Sequence, residues 1–171
     1  PYLQHTTFTR FDTSKTTNMS GMFSRCFSLK QLDLSGFDTS KTTNMSGMFS
    51  RCLSLEQLNL SEFDTSNVED MSYMFSSCEA LSTVNLSSFN TSKVTDMWGM
   101  FYGCHDLTEI NLTNFKITEG VLLLDMFENC FGLKEIQMDW NVAGISSLQC
   151  IFKCCHNLQS LDLSKWDLSK V

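Results

Sequence analysis

Cysteine is the residue type in this chain with the clearest capacity for chemistry. The 171 residues include eight cysteines and three histidines, which can bind zinc, form disulfides or act as nucleophiles when suitably grouped. One group stands out, because Cys150, Cys154 and Cys155 lie together and His156 follows directly. A zinc site needs a second contributing segment, which the sequence does not offer. We therefore predict no metal and no cofactor, and keep a thiol or metal role for these three cysteines as a weaker alternative.

Most of the cysteines occur because a short unit is repeated. Residues 11–26 and 37–52 are identical at all sixteen positions. The aromatic residue that opens each unit recurs at intervals of 26 residues, with one interval of 25. These opening aromatics are Phe11, Phe37, Phe63, Phe89, Phe115, Trp140 and Trp166. A fixed period of this length is typical of a solenoid.

The repeat sets the predicted domain organisation. We expect one repeat domain over residues 1–171. Its units are 11–36, 37–62, 63–88, 89–114, 115–139 and 140–165, with partial units 1–10 and 166–171. Leu3 and Phe8 keep the spacing of the later units, and neither end resembles a polar cap. Because solenoids need such caps, we expect the chain to be part of a longer array.

Each unit predicts one short helix and one short strand. Counted from the opening aromatic as offset zero, offsets 8, 11, 12 and 15 are apolar in nearly every unit. That spacing lines one face of a two-turn helix. Offsets 18, 21 and 23 are aliphatic in nearly every unit and end in an alternating pattern, which predicts a half-buried strand. The expected fold is therefore an α/β solenoid with parallel strands and right-handed connections.

The repeated cysteine belongs to the apolar face of the predicted helix. Stacked units lie about 4.8 Å apart where their strands pair, so these side chains point in parallel rather than at one another. We predict a ladder of buried free thiols. Its members, all at offset 15, are Cys26, Cys52, Cys78, Cys104, Cys130 and Cys155.

Candidate contact residues are the polar side chains that the strands direct outward. Offsets 20 and 22 flank an aliphatic position and point away from the core if that position faces inward. We name these twelve residues the sheet face: Gln31, Asp33, Gln57, Asn59, Thr83, Asn85, Glu109, Asn111, Glu135, Gln137, Ser160 and Asp162. Two aromatic residues, Trp98 and Tyr102, replace the serine usual at offsets 9 and 13. They are predicted outer-surface contacts.

The full unit resembles a known repeat. It reads L-x-x-L-x-L-S-x-F-D-T-S-x-V-x-D-M-S-x-M-F-x-x-C from Leu55 through Cys78 and recurs from Leu81 through Cys104, with Val84, Asn90 and Trp98 as the only replacements. This pattern resembles the BspA-like leucine-rich repeats of bacterial and protozoan surface proteins, including the repeat found in mycoplasmal lipoproteins. The resemblance implies a leucine-rich-repeat solenoid at the cell surface or secreted, which binds a host or neighbouring-cell protein as an adhesin. A passive stalk that displays other domains is the alternative.

Several function classes fit the sequence poorly. The net charge of −7 disfavours nucleic acid as a partner. No apolar stretch is long enough to span a membrane, so we expect no direct membrane insertion. His105 and His156 lie two units apart, and no phosphate-binding glycine loop or nucleophile–base pair is evident. We therefore expect a non-enzymatic protein.

Overall fold

The computed structural model describes residues 5–7 and 11–171, so the positions assigned to Leu3 and Phe8 lie outside the described residues. Within the described part there are six strands of three residues each and no helix. The strands are β1 (His5–Thr7), β2 (Gln31–Asp33), β3 (Gln57–Asn59), β4 (Thr83–Asn85), β5 (Glu109–Asn111) and β6 (Glu135–Gln137). Each unit from 11–36 to 115–139 contributes one strand, which is the arrangement expected of a repeat solenoid.

The strands pair in parallel between successive coils. In each pair the opposed residues are 26 positions apart, as in His5 opposite Gln31, Leu58 opposite Val84 and Ile110 opposite Ile136. Pairing joins β1 to β2, β3 to β4 and β5 to β6 as three separate two-stranded sheets. The sheet predicted from the sequence is therefore divided into pairs among the described residues. Strands of three residues give each pair few hydrogen bonds, so the coils need other contacts to stay in register.

The predicted helices are wrong: residues 20–25 and their equivalents form consecutive turns. An α-helix requires each N–H group to bond the carbonyl four residues earlier. Here Met22 donates its N–H to the Met19 carbonyl, only three residues earlier, at 3.2 Å. Every second N–H group instead bonds a carbonyl of the next coil. Gly21, for example, donates its N–H to the Ser46 carbonyl at 2.8 Å. A helix cannot form because half of its donors serve the neighbouring coil.

These turns form a ladder of backbone hydrogen bonds between coils, which the sequence did not predict. It is the second such ladder, the first being formed by the paired strands. Parallel bridges connect the residues at offset 7 from coil to coil, running through Asn18, Asn44, Asp70, Asp96 and Leu122. Hydrogen bonds of the same type follow at offsets 8, 10, 12 and 14 through most of the chain, as in Phe75 N–H to the Met100 carbonyl at 2.9 Å. The coils are therefore joined both at the strands and along the turns.

The core is built of stacked columns of identical side chains. At offset 12 the phenyl rings of Phe49, Phe75, Phe101 and Phe127 lie 5.3–5.7 Å apart between centroids and within 10° of parallel. All four rings are fully buried. The methionines at offsets 8 and 11 are buried beside them from Met45 onward. The apolar positions therefore face inward as the sequence indicated, although turns rather than helices place them there.

A threonine joins neighbouring coils at offset 2. Thr65 is buried, donates its hydroxyl to the Asn90 carbonyl at 3.1 Å and accepts the Asn90 N–H at 2.7 Å. Thr91 makes the same two bonds to Lys116, at 2.9 and 2.7 Å. We call this pair of bonds the threonine bridge. A single hydroxyl can make both because it carries one donor and two acceptor lone pairs.

Candidate functional site

The twelve residues of the sheet face are all exposed to solvent. They are the first and third residues of the strands, together with Ser160 and Asp162, whose coil forms only a single bridge at Ser160. The residue between offsets 20 and 22 is buried or half-buried in each coil, as with Leu58 and Val84. The structure therefore presents these polar side chains in two rows along one side of the solenoid.

The two rows differ in what their side chains do. At offset 22, Asp33 accepts the Ser35 N–H at 3.0 Å and Asn85 accepts the Ser87 N–H at 3.1 Å. The bonds from Ser35 lower the pKa of Asp33. These side chains fix the turn that follows the strand. The offset-20 row is therefore the better candidate for contacts with a partner.

A shallow groove lies where the offset-20 row is acidic. Its volume is about 330 Å³. It is lined by Thr108, Glu109, Lys134, Glu135, Gln159 and Ser160. Two carboxylates beside one ammonium suit a polar or basic side chain of a partner.

Burial of all six ladder cysteines was predicted, but only Cys52, Cys78, Cys104 and Cys130 are fully buried, whereas Cys26 and Cys155 are half-buried. Cys78 donates its thiol to the Phe49 carbonyl at 3.1 Å, and Cys52, Cys104, Cys130 and Cys155 make the same bond at 3.1–3.2 Å. All eight cysteines are unpaired in the described chain. Burial raises the pKa of Cys52 to about 12 and that of Cys104 well above its usual value. Thiols with such pKa values are not nucleophiles at neutral pH.

The cluster at Cys150, Cys154 and Cys155 is split by the turns. Cys150 and Cys154 occupy left-handed turn positions, with φ of 55° and 63°, whereas Cys155 joins the ladder. Cys150 and Cys154 therefore do not share the face of a helix, because no helix forms there.

Cys150 has acidic neighbours that the sequence did not indicate. Its sulfur and carboxylate oxygens of Asp125 and Glu128 lie within 4.8 Å of one another. Glu128 already binds the Lys153 ammonium at 2.7 Å, and Asp125 accepts the Trp98 indole N–H at 2.9 Å. A metal ion bound by all three groups would have to displace the Lys153 ammonium from Glu128. These residues come from adjacent coils, so their proximity could be found only once the stacking was known.

His105 and His156 share one surface column, but Phe131 separates them. The Phe131 ring stacks on His105 at 4.7 Å and on His156 at 5.7 Å between centroids. The two imidazoles therefore do not contact each other.

Trp98 and Tyr102 lie on the outer side of the turns. Trp98 is 39% exposed, and its ring packs 5.8 Å from that of Tyr73, which is 38% exposed. Tyr102 is half-buried and its hydroxyl accepts a hydrogen bond from Asn129 at 3.1 Å.

Sequence reasoning missed Tyr73 and Asp125, although both replace the glycine that occupies offset 10 in the units of Gly21, Gly47 and Gly99.

Comparison with known families identifies this repeat. The family described as "Mycoplasma protein of unknown function, DUF285" matches residues 3–115 and 82–171. The chain belongs to this family. The DUF285 match and the repeat fold confirm the resemblance to BspA-like leucine-rich repeats.

Solved structures similar to the DUF285 chain are leucine-rich repeat proteins. The T. pallidum leucine-rich repeat protein (TpLRR) is 18% identical with a TM-score of 0.51, over 88% of this chain and 75% of that one. A leucine-rich repeat protein from Bacteroides ovatus is 20% identical with a TM-score of 0.40, over 84% of this chain and 45% of that one. No curated protein matches the chain. The likeness to TpLRR shows a leucine-rich-repeat fold for this DUF285 chain. Its described residues contain no helix that is long and apolar enough to cross a membrane.

The thiol ladder of the DUF285 repeat gives a first prediction. Cys78→Ser is expected to lower the free energy of unfolding by about 1–3 kcal/mol, because a more polar group then occupies a buried site. Urea denaturation followed by circular dichroism measures this loss. Cys154→Ser, at a half-buried turn position, is the control and should change stability by less than about 0.5 kcal/mol.

The same variant has a predicted pH signature. Because the folded state raises the pKa of Cys78, unfolding releases its proton, and the stability that the thiol contributes is lost as pH rises above its ordinary value of 9.0. Serine does not ionise in this range, so Cys78→Ser should lose less stability than the parent between about pH 9 and 11. Parallel stability curves for the two proteins over that range would contradict a buried protonated thiol.

Proposed function

We propose that this chain is a non-enzymatic binding module at the cell surface, an adhesin that contacts a protein of a host or neighbouring cell through its sheet face. The observation that carries the proposal is the exposure of all twelve sheet-face residues in two rows. Leucine-rich repeat proteins typically bind proteins, which supports the same class of function. The BspA-like resemblance supports display at the cell surface.

The proposed mechanism is repetition of weak contacts. The sheet face holds no aromatic residue, so it lacks the anchors on which strong single-site binding usually depends. Similar polar contacts repeated coil after coil add up when one partner engages several of them at once. The groove at Glu109 and Glu135 is where the sheet face has the most charge to offer.

The test is a surface-plasmon-resonance screen of the chain against extracellular-matrix and serum proteins. For a protein that binds, we expect Glu109→Ala with Glu135→Ala to weaken binding at least about fivefold, because two groove carboxylates are lost. Glu69→Ala is the control, since Glu69 is also exposed but lies on the turn side. Unchanged affinity in the double variant would move the binding site away from the sheet face.

The alternative function is a passive stalk. Its support is the pair of ladders that join successive coils, since coils held on two sides make a stiff spacer. Absence of binding throughout the screen, with the protein folded, would favour this role over adhesion.

A further inference from the structure

A second surface, on the turn side of the solenoid, combines exposed aromatic rings with carboxylates. We call it the aromatic–acidic patch and define it by Tyr73, Asp96, Trp98 and Asp125. These residues come from the third, fourth and fifth complete units. None of them belongs to the sheet face.

The rings of the patch are held in place before any partner arrives. Trp98 donates its backbone N–H to Asp96 at 2.8 Å and its indole N–H to Asp125 at 2.9 Å. The Tyr73 ring lies over Gly99, where a Cβ atom would come within 2.6 Å of the ring. Gly99 therefore lets Tyr73 reach Trp98, and the two rings meet at 5.8 Å with a 39° tilt. Rigid exposed rings lose little entropy on binding.

The electrostatic setting of the patch favours a positive group. Between residues 52 and 133 the chain has twelve acidic residues and only two basic ones, Lys93 and Lys116. Lys93 is bonded to Asn67 at 2.7 Å. Burial and the carboxylates of Asp125 and Asp96 raise the pKa of Tyr73, which places both carboxylates within electrostatic reach of the ring. A neutral or anionic partner would cover these carboxylates without compensating their charge.

The chain itself already docks one cation beside the patch. The Lys153 ammonium lies 2.7 Å from the buried carboxylate of Glu128, three residues after Asp125. Among the described residues Asp125 forms no ion pair, and the indole N–H of Trp98 bonds only its Oδ2 atom, which leaves Oδ1 to pair with a cation. The face of an aromatic ring attracts cations, most strongly when the cation is also paired with a carboxylate.

We propose that the aromatic–acidic patch docks a lysine or arginine side chain of a protein partner, with the cation against the Tyr73 and Trp98 rings and paired with Asp125. This surface is distinct from the sheet face and does not depend on the adhesin function. It assigns Tyr73 and Asp125 a binding role, and it gives Trp98 a defined kind of ligand.

The test uses short peptides of opposite design. A glycine-spaced peptide with two arginines is compared by isothermal titration calorimetry with the same peptide carrying citrulline, which keeps the shape of arginine but is neutral. We expect the arginine peptide to bind at least about tenfold more tightly, and its binding to weaken as salt is raised. Equal binding of the two peptides, or no heat with the arginine peptide at millimolar concentration, would overturn the proposal.

Variants matched to other coils locate the binding. Tyr73→Gly restores the residue found at Gly47, and Trp98→Ser restores the residue found at Ser72, so both should fold. Asp125→Asn keeps an acceptor for the indole but removes the charge. Each variant should weaken the affinity for the arginine peptide about three- to thirtyfold.

Glu62→Ala removes an exposed carboxylate that belongs to neither the sheet face nor the patch, so it is the control and should leave peptide binding unchanged. Loss of binding in Glu109→Ala, with retention in the patch variants, would assign the peptide to the sheet face and overturn the proposal. Tighter binding of a neutral oligosaccharide such as maltohexaose would also overturn it. So would self-association in sedimentation that Trp98→Ser abolishes, because the occupant would then be a second copy of the chain.

Discussion

Replacing Phe75 with alanine is expected to lower the free energy of unfolding by about 3–5 kcal/mol. The Phe75 ring is fully buried and stacks on Phe49 at 5.7 Å and on Phe101 at 5.3 Å. Its removal leaves a cavity in the middle of the phenylalanine column. The coils on either side are fixed by backbone hydrogen bonds at the strands and along the turns. The backbone therefore has little freedom to collapse into the space, and the cost should fall in the upper part of the usual range for such substitutions.

Phe131→Ala is the matched control, because the same atoms are removed from a ring that is 39% exposed. Urea titration of the two variants by circular dichroism gives both losses, and we expect the control to lose less than about 1.5 kcal/mol. Equal losses at the two positions would show that the phenylalanine column does not hold the coils together.

The second large effect is expected at the threonine bridge. Thr91→Val keeps the size and shape of the side chain but removes its hydroxyl. The Lys116 N–H and carbonyl then lose their partner, and leaving two such groups unsatisfied should destabilise the protein by about 2–4 kcal/mol. Thermal denaturation gives the loss directly.

Two further variants separate the hydroxyl from other effects. Thr91→Ser retains the bridge and should recover most of the lost stability. Ser92→Ala removes a hydroxyl from the exposed residue next in the chain and should cost less than about 0.5 kcal/mol. If valine at position 91 is as stable as serine, solvent must satisfy the Lys116 backbone and the bridge is not a structural element.

The sequence predicts which residues face inward, but it does not predict that turns rather than helices hold them there. Offsets 8, 11, 12 and 15 have the spacing of a helical face, and most of these side chains are buried. The turns differ from a helix at offsets 10 and 14, where φ is positive, as at Gly47 and Arg51. Glycine at offset 10 in three units was a visible signal of a left-handed residue. At offset 14 glycine occurs only as Gly103, and the arginines of the first two units gave no such signal.

Surface residues could be predicted from the sequence only where their exposure depends on the pattern within a single coil. Exposure of the sheet face follows from alternation within a strand, which the sequence displays. The contacts of Trp98 with Tyr73 and Asp125 span 25 and 27 residues. Such contacts follow only when the stacking is known, as does the bond from each ladder thiol to the carbonyl of the preceding coil.

The two ladders also bear on how such a gene can change. Their hydrogen bonds join each coil to the coils immediately before and after it, through donors and acceptors at the same offsets throughout. Loss of 26 residues between the identical segments 11–26 and 37–52 would join coils that offer the same partners as before. Unequal recombination between these segments can therefore shorten or lengthen the protein in whole units while keeping it folded. The length of the solenoid can then change by whole coils without any change in the residues of its surfaces.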